Sequence, residues 1–179
     1  MCGILGFVTK NNTNSKFYKN LIRDLSHILE HRGPDQINYC VSNNQNVYLG
    51  HTRLSIQDLS SNGSQPMHIN NGRYIISYNG EIYNHYTLRS ELDKLHKYNW
   101  KSKCDTETLL LCFEKWGVKK TLVKIDGMFS IILYDKYINK IYLIRDRYGE
   151  KPLYFGNVNE YLVFSSEIKV FKSFPNFNN

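Results

Sequence analysis

Residues 128–134, with the sequence MFSIILY, form a largely apolar run that predicts a buried strand. This strand opens a second group of strands, and helical patterns separate it from an earlier group. Two groups of strands with helices between them indicate an α+β protein whose antiparallel sheets are covered by helices. The predicted strands are residues 2–8, 37–41, 47–51, 74–78, 128–134, 141–144, 153–155 and 161–164, and the predicted helices are residues 15–30, 87–95 and 106–116, the last ended by Gly117, with a short helix near Glu167.

The length of 179 residues predicts a single domain, which we place at residues 1–172. Residues 173–179, with Pro175 and three asparagines, are predicted to be a frayed tail. A hydrophobic content of 41% is enough for a core, which excludes disorder for most of the chain. The longest apolar runs fall well short of the roughly 20 residues that a membrane helix needs, so no membrane partner is expected.

The net charge of +7 raises the question of a nucleic-acid partner. The lysines are dispersed along the chain, and no basic stripe is interleaved with aromatic residues in a known RNA-binding pattern. The abundance of Lys, Asn, Ile and Tyr is the bias that an AT-rich coding sequence produces. We therefore expect no nucleic-acid partner.

Cysteines and histidines give no pattern of a metal site or a disulfide framework. The four cysteines form no CxxC pair, and the six histidines lack ligand spacing, so we expect no metal. Free cysteines and the lack of a secretory signal pattern predict a cytosolic protein.

Cys2 directly follows the initiator Met1. Removal of Met1 would expose the α-amino group of Cys2 beside its thiol, so that one residue would supply both a nucleophile and a base. The amine, with a pKa of about 7.7–8.0, can accept a proton near neutral pH. An ordinary small, buried residue on the first strand is an equally good interpretation of the position alone.

Three further positions each allow a structural and a functional interpretation. Asn79-Gly80 favours a tight hairpin turn, but its side-chain amide and backbone N–H could also donate to an oxyanion. Arg53 could grip a carboxylate with its planar fork or form a surface ion pair. Asp105 could bind an ammonium group or cap the helix that follows it.

A series of motifs runs in order from Met1 to Lys169. These are MCGILGF, HRGPD, HTRLSI, QPM, YNGEIYN, CDTE, GMFSIILYD, RDRYGEKPLYF and SSEIK. With them the chain resembles the glutaminase domain of asparagine synthetases, which are class II glutamine amidotransferases of the N-terminal nucleophile hydrolase superfamily. The resemblance implies a four-layer αββα sandwich of two antiparallel sheets.

The resemblance also implies the roles of the site residues. Cys2, after loss of Met1, would attack the side-chain amide of L-glutamine, release ammonia and form a thioester that water cleaves. Asn79 and Gly80 would form the oxyanion hole. Arg53 would bind the α-carboxylate, with Leu54, Ser55, Ile56 and Gln57 lining the pocket, and Glu81 and Asp105 would hold the α-ammonium group.

Members of this family carry a larger ATP-dependent synthetase domain, whose signature motif the sequence does not contain. The chain is therefore expected to be a fragment of a longer protein, with a stand-alone glutaminase subunit as the alternative. No cofactor is expected in it, since ATP and Mg²⁺ belong to the synthetase domain. The expected partner is a synthetase domain or subunit that passes ammonia to aspartate, and a homodimer is one option for assembly. A different acceptor, such as a sugar acid, and a non-catalytic glutamine-binding module are the alternatives.

Overall fold

A computed structural model describes residues 1–10, 14–42, 44, 46–69, 71–175 and 177. Nine strands and four α-helices make up this part of the chain. The strands are β1 (Gly3–Val8), β2 (Gln36–Val41), β3 (Val47–Arg53), β4 (Met67–His68), β5 (Tyr74–Ile82), β6 (Gly127–Asp135), β7 (Lys140–Arg145), β8 (Tyr154–Val158) and β9 (Tyr161–Ser165), and the helices are α1 (Ser15–His27), α2 (His85–Leu95), α3 (Asp105–Lys124) and α4 (Lys169–Lys172).

The strands form two antiparallel sheets. The five-stranded sheet has the order β2-β3-β1-β9-β8, and the four-stranded sheet has the order β4-β5-β6-β7. Helices α1 and α4 pack on the first sheet, and α2 and α3 pack on the second. A third apolar cluster lies between the two sheets. The predicted four-layer αββα sandwich is therefore confirmed.

The position of β6 explains its continuous apolar sequence. Ile131 and Leu133 enter the core under α2 and α3, whereas Ile132 lies between the sheets. Successive side chains of a strand point to opposite faces, so a strand that is covered on both faces has no polar alternation. The run at residues 128–134 is thus a strand buried on both sides.

Helix α3 is interrupted at Gly117, where the sequence predicts its end. The backbone of Gly117 has φ +74° and ψ 172°, a conformation that glycine adopts far more readily than other residues. Helical structure resumes after this break and continues to Lys124, which the sequence pattern did not predict.

The predicted frayed tail is wrong for its described apolar residues. Phe174 is only 3% exposed and belongs to the core beneath α1, and Phe177 packs against the same cluster. Aromatic burial therefore orders the segment that its asparagines led us to interpret as frayed. Residues 176, 178 and 179 of the predicted tail lie outside the described residues.

Within the described parts of the chain, no helix combines the length and the apolar character that crossing a bilayer requires.

Candidate active site

One cavity brings together every predicted site residue except Ser55. Its wall includes strand ends from both sheets, the loop after β3 and the start of α3. Ser55 instead donates its backbone N–H to Asp35 Oδ2 at 2.7 Å. The predicted residues that line the cavity are Cys2, Arg53, Leu54, Ile56, Gln57, Asn79, Gly80, Glu81 and Asp105.

The thiol of Cys2 lies at this cavity, directly before β1. The backbone N–H of Leu54 donates to Cys2 Sγ at 3.4 Å, and the thiol in turn lies 3.7 Å from the Leu54 carbonyl. Burial raises the pKa of the thiol, while the Leu54 hydrogen bond, the N-terminal charge and Arg53 partly oppose this shift. A thiol with a raised pKa needs a base before it can act as a nucleophile.

Asn79 and Gly80 lie within β5 and form no hairpin turn, so the favoured interpretation of this dipeptide was wrong. They pair with Ser130 and Phe129 of β6. The Asn79 side chain is buried at the cavity, and its Nδ2 atom has no hydrogen-bond partner among the described residues. A buried, unpaired amide donor costs folding free energy, so it is a strong candidate for binding a ligand oxygen.

The backbone of β6 leaves no room for a side chain at Gly80. A Cβ atom at this position would overlap the Met128 carbonyl oxygen and lie 2.7 Å from Phe129 Cα. The close approach that glycine permits is therefore to the backbone of β6.

Replacement of Gly80 with alanine should lower the free energy of unfolding by about 1–3 kcal/mol, because the backbone of β6 must shift to make room. Urea denaturation followed by circular dichroism measures this change. Gly156, whose Cβ would meet only Phe171 at 3.7 Å, offers a control. Equal stability of the two alanine variants would contradict the steric argument.

Arg53 is buried at the cavity and is not in a surface ion pair. Its guanidinium donates to the carbonyl oxygens of Ser60, at 2.8 Å, and of Asp58. Among the described residues, no carboxylate lies within ion-pair distance of it. The guanidinium is thus held in place by backbone oxygens, with its charge available to an anionic ligand.

Asp105 is the first residue of α3, and the capping position belongs to Cys104, so the interpretation as an N-cap was wrong. The Asp105 carboxylate reaches β5, where it accepts hydrogen bonds from the Tyr78 hydroxyl at 2.7 Å and from the Ile82 N–H at 2.9 Å. Burial raises the pKa of Asp105, and these hydrogen bonds oppose the shift. Glu81 adds a second, exposed carboxylate to the cavity wall.

Comparison with protein families matches residues 1–179, the whole chain, to the glutamine amidotransferase domain. The chain belongs to this family. The match confirms the family resemblance that the motifs indicated.

Relatives of this amidotransferase domain include asparagine synthetases. "Asparagine synthetase [glutamine-hydrolyzing] 2" of Bacillus subtilis is 35% identical over 176 residues, which cover 98% of this chain and 23% of that protein. A probable asparagine synthetase of Acanthamoeba polyphaga mimivirus is 37% identical over 179 residues, with coverages of 97% and 31%. The chain therefore spans less than a third of the length of these relatives.

The fold is also similar to that of a solved structure, glutamine phosphoribosylpyrophosphate amidotransferase from Bacillus subtilis in complex with ADP and GMP. The TM-score is 0.78 at 18% identity, and the match covers 96% of this chain and 43% of that one. At this level of identity the likeness supports the shared fold alone.

Tyr78 and Gln65 also line the amidotransferase cavity, and His51 contacts the Tyr78 carbonyl. None of the three was a predicted site residue. The side chain of Gln65 accepts from the Tyr78 N–H at 2.7 Å and donates to the Tyr78 carbonyl at 3.2 Å. His51 Nε2 lies 3.1 Å from the same carbonyl. The motifs HTRLSI, QPM and YNGEIYN contain these residues, but only the folded chain shows that they meet.

His51 links the two sheets in its neutral form. A carbonyl oxygen can only accept, so Nε2 carries the proton, and Nδ1 is buried without a partner among the described residues. Burial lowers the pKa of His51 from 6.5 to about 4, although the Tyr78 hydrogen bond opposes the shift.

The free energy of unfolding should therefore decrease as the pH falls from 6.5 to about 4. In this interval the unfolded chain binds a proton at His51 and the folded chain does not, which costs about 3 kcal/mol of stability at the acidic end. His51→Gln, which stays neutral, should remove this part of the pH dependence. The measurement is urea denaturation of both chains from pH 4 to pH 7. Parallel stability profiles would contradict the assignment.

Within the part of the chain that the structure describes, no three His, Cys, Asp or Glu side chains are grouped so that they could hold a metal ion.

Proposed function

We propose that this domain hydrolyses L-glutamine to glutamate and ammonia through a thioester on Cys2. One observation carries the proposal. The thiol of Cys2, the unpaired amide of Asn79, the guanidinium of Arg53 and the carboxylates of Glu81 and Asp105 all line the same cavity. An α-amino acid with a reactive side-chain carbonyl matches this set of a nucleophile, an oxyanion donor, a cation and two anions.

The α-carboxylate and the α-ammonium group of glutamine set its orientation in the cavity. Arg53 binds the α-carboxylate through parallel N–H···O bonds, which suits a planar guanidinium that backbone carbonyls already hold. Asp105, fixed by Tyr78 and Ile82, binds the α-ammonium group together with Glu81. Leu54, Ile56 and Gln57 line the pocket, and Gln57 Oε1 accepts from the Asp105 N–H at 3.0 Å. These contacts leave the side-chain amide directed to Cys2.

Removal of Met1 prepares the nucleophile. Met1 lines the cavity, so its loss clears space and leaves a free α-amine on Cys2. This amine takes the thiol proton, and the sulfur attacks the side-chain carbonyl carbon of glutamine. The raised pKa of the thiol makes this base necessary.

The tetrahedral intermediate is stabilised and then collapses. Its oxyanion accepts hydrogen bonds from Asn79 Nδ2 and the Gly80 N–H. The carbon–nitrogen bond then breaks, and the leaving nitrogen takes the proton from the α-ammonium group and departs as ammonia. Water, deprotonated by the same amine, attacks the thioester through a second oxyanion. Glutamate leaves, and the thiol recovers its proton.

The acceptor of the ammonia is aspartate in this proposal, and a synthetase domain or subunit that uses ATP and Mg²⁺ carries out the amidation. The names of the relatives support this assignment. The four free cysteines suit a reducing compartment, and we place the reaction in the cytosol. Amide-labelled glutamine, supplied with aspartate, ATP, Mg²⁺ and the synthetase partner, should transfer its label to asparagine. Label in a different amide would contradict aspartate as acceptor.

The hydrolysis itself is tested on the purified chain without a tag, after intact mass confirms the loss of Met1. L-Glutamine should yield glutamate and ammonia in equal amounts. The same chain with an N-terminal extension should be inactive, because its Cys2 nitrogen is an amide. Full activity of the extended chain would exclude the amine as the base. No release by the processed chain would overturn the proposed hydrolysis.

A further inference from the structure

A charged cluster holds the backbone of Cys2, and the proposed reaction does not use it. Arg32 Nε donates to the Cys2 carbonyl at 3.0 Å, and Arg32 Nη1 donates to Glu167 Oε1, also at 3.0 Å. His31 Nε2 lies 2.9 Å from the same Glu167 oxygen, and Lys169 Nζ lies 3.3 Å from Glu167 Oε2. The motifs HRGPD and SSEIK supply these four side chains.

The cluster has an inner and an outer side. The Arg32 side chain is 9% exposed, whereas those of His31 and Lys169 are 52% and 44% exposed. Burial alone would raise the pKa of Glu167, but hydrogen bonds from Arg32, His31 and Lys169 lower it to about 2. Glu167 is therefore ionised at neutral pH. Its bond to Arg32 is a charge-assisted contact in a partly desolvated place, where such contacts are strong.

Strand β9 brings Glu167 to this position. Leu5 of β1 pairs with Ser165 of β9. Just beyond this pair, Ser166 accepts from the Ile4 N–H at 3.0 Å and donates its own N–H to the Ile4 carbonyl at 2.8 Å. Glu167 is the next residue. The pairing of β9 with β1 thus places Glu167 beside the start of β1, independently of the contacts of its side chain.

Cys2 itself lies outside the ladder of β1, which begins at Gly3. Its carbonyl group is held by Arg32, and once Met1 is lost no residue precedes it. The direction of its Cα–Cβ bond and of its α-amine therefore depends on how Arg32 and Gly3 hold the peptide between them. A shift of about 1 Å at a nucleophile can reduce a rate by roughly 100-fold.

We infer that Glu167 is a positioning residue for Cys2, acting through Arg32 to align the thiol and the α-amine with the bound amide. The inference deepens the proposed glutamine hydrolysis and rests on it. Glu167 touches no reacting atom in this role. It fixes the fork of Arg32 so that Nε stays directed at the Cys2 carbonyl.

The primary test replaces Glu167 with glutamine, which keeps the size of the side chain and removes its charge. The kcat for glutamine hydrolysis should fall by roughly 10- to 100-fold, with KM changed less than about twofold, because the contacts to substrate are untouched. Glu91→Gln is the matched control, since it breaks a surface ion pair with Lys124 instead. Lys169→Met is a second control, because it removes the ion pair between Lys169 and Glu167 on the exposed side of the cluster. Both controls should keep kcat within about twofold of the wild type.

Arg32→Lys supplies a second, independent variant. Lysine keeps a positive charge near Glu167 but has a single nitrogen, which cannot bind Glu167 and the Cys2 carbonyl as a fork does. Its kcat should fall as far as that of Glu167→Gln. The double variant should lose no more than the larger single loss, because both act through the same contact. If Glu167→Gln does not fold, wild-type kcat in Arg32→Lys would still overturn the inference.

A reagent that does not require the pocket separates this inference from the proposed function. Iodoacetamide alkylates the Cys2 thiol, and peptide mass spectrometry follows the modification at Cys2 at fixed pH. The rate should fall several-fold in Glu167→Gln and stay unchanged in Glu91→Gln, even if no glutamine is hydrolysed. Unchanged kcat and alkylation in folded Glu167→Gln, or additive losses in the double variant, would overturn the positioning role.

Discussion

Replacing Cys2 with alanine should reduce the kcat of glutamine hydrolysis by roughly 10⁴- to 10⁶-fold, the range seen when a covalent nucleophile is removed. Asn79, Arg53 and Asp105 remain in place, so glutamine should still bind. Among the described residues, the hydrogen bonds of the Cys2 thiol are the two weak ones with the Leu54 backbone, so the fold should be retained. Glutamate release measures the rate, and calorimetric titration with glutamine measures the binding.

Cys40→Ala is the control for the loss of a thiol. Cys40 lies on β2 and does not line the cavity, and burial raises the pKa of its thiol to about 12. Its removal should leave kcat unchanged. More than about a hundredth of the wild-type rate in Cys2→Ala would be incompatible with a thioester on Cys2.

Replacing Asn79 with alanine should lower kcat by roughly 10²- to 10³-fold with little change in KM, because an oxyanion donor acts mainly in the transition state. The same substitution should not destabilise the fold. Asn79 Nδ2 is buried without a partner among the described residues, so its removal relieves an unpaired donor. The free energy of unfolding should stay equal or rise by up to about 1 kcal/mol.

Ser130→Ala is the matched control for Asn79. Ser130 pairs with Asn79 across β5 and β6, and its hydroxyl donates to the Asn79 carbonyl over a long 3.5 Å. This variant should keep kcat within a few-fold of the wild type, since the amide donor is unaffected. A loss of stability in Asn79→Ala together with an unchanged kcat would show that the amide is structural.

Local sequence patterns were sufficient for an α+β protein with antiparallel sheets covered by helices, and the family resemblance supplied the four-layer arrangement. The apolar run at residues 128–134 indicated a buried strand, and Gly117 marked the end of the first part of α3 because a positive φ favours glycine. The helical segment between Gly117 and Lys124 was missed, because nothing in the local pattern required the chain to resume a helix. Phe174 was missed because the polar residues around it concealed its burial in the core.

Residue types singled out Cys2 and several further candidate site positions, and the family resemblance supplied their expected roles. The local structural interpretations of these positions failed where distant segments decide the structure. Asn79-Gly80 continues a strand because β6, about 50 residues later, pairs along it. Asp105 turns its carboxylate to Tyr78 and Ile82 instead of capping its own helix. Turn and cap preferences describe a few neighbouring residues, so they cannot anticipate contacts of this range.

The central position of β1 has a consequence for the order of events during synthesis. The strand that follows Cys2 is flanked by β3 and by β9, and the second neighbour is made some 160 residues after the first residue of the chain. The nascent chain therefore carries Cys2, the proposed nucleophile, long before the partner strand exists. Trimming of Met1 can precede folding, whereas the ability to release ammonia must wait until β9 has emerged from the ribosome.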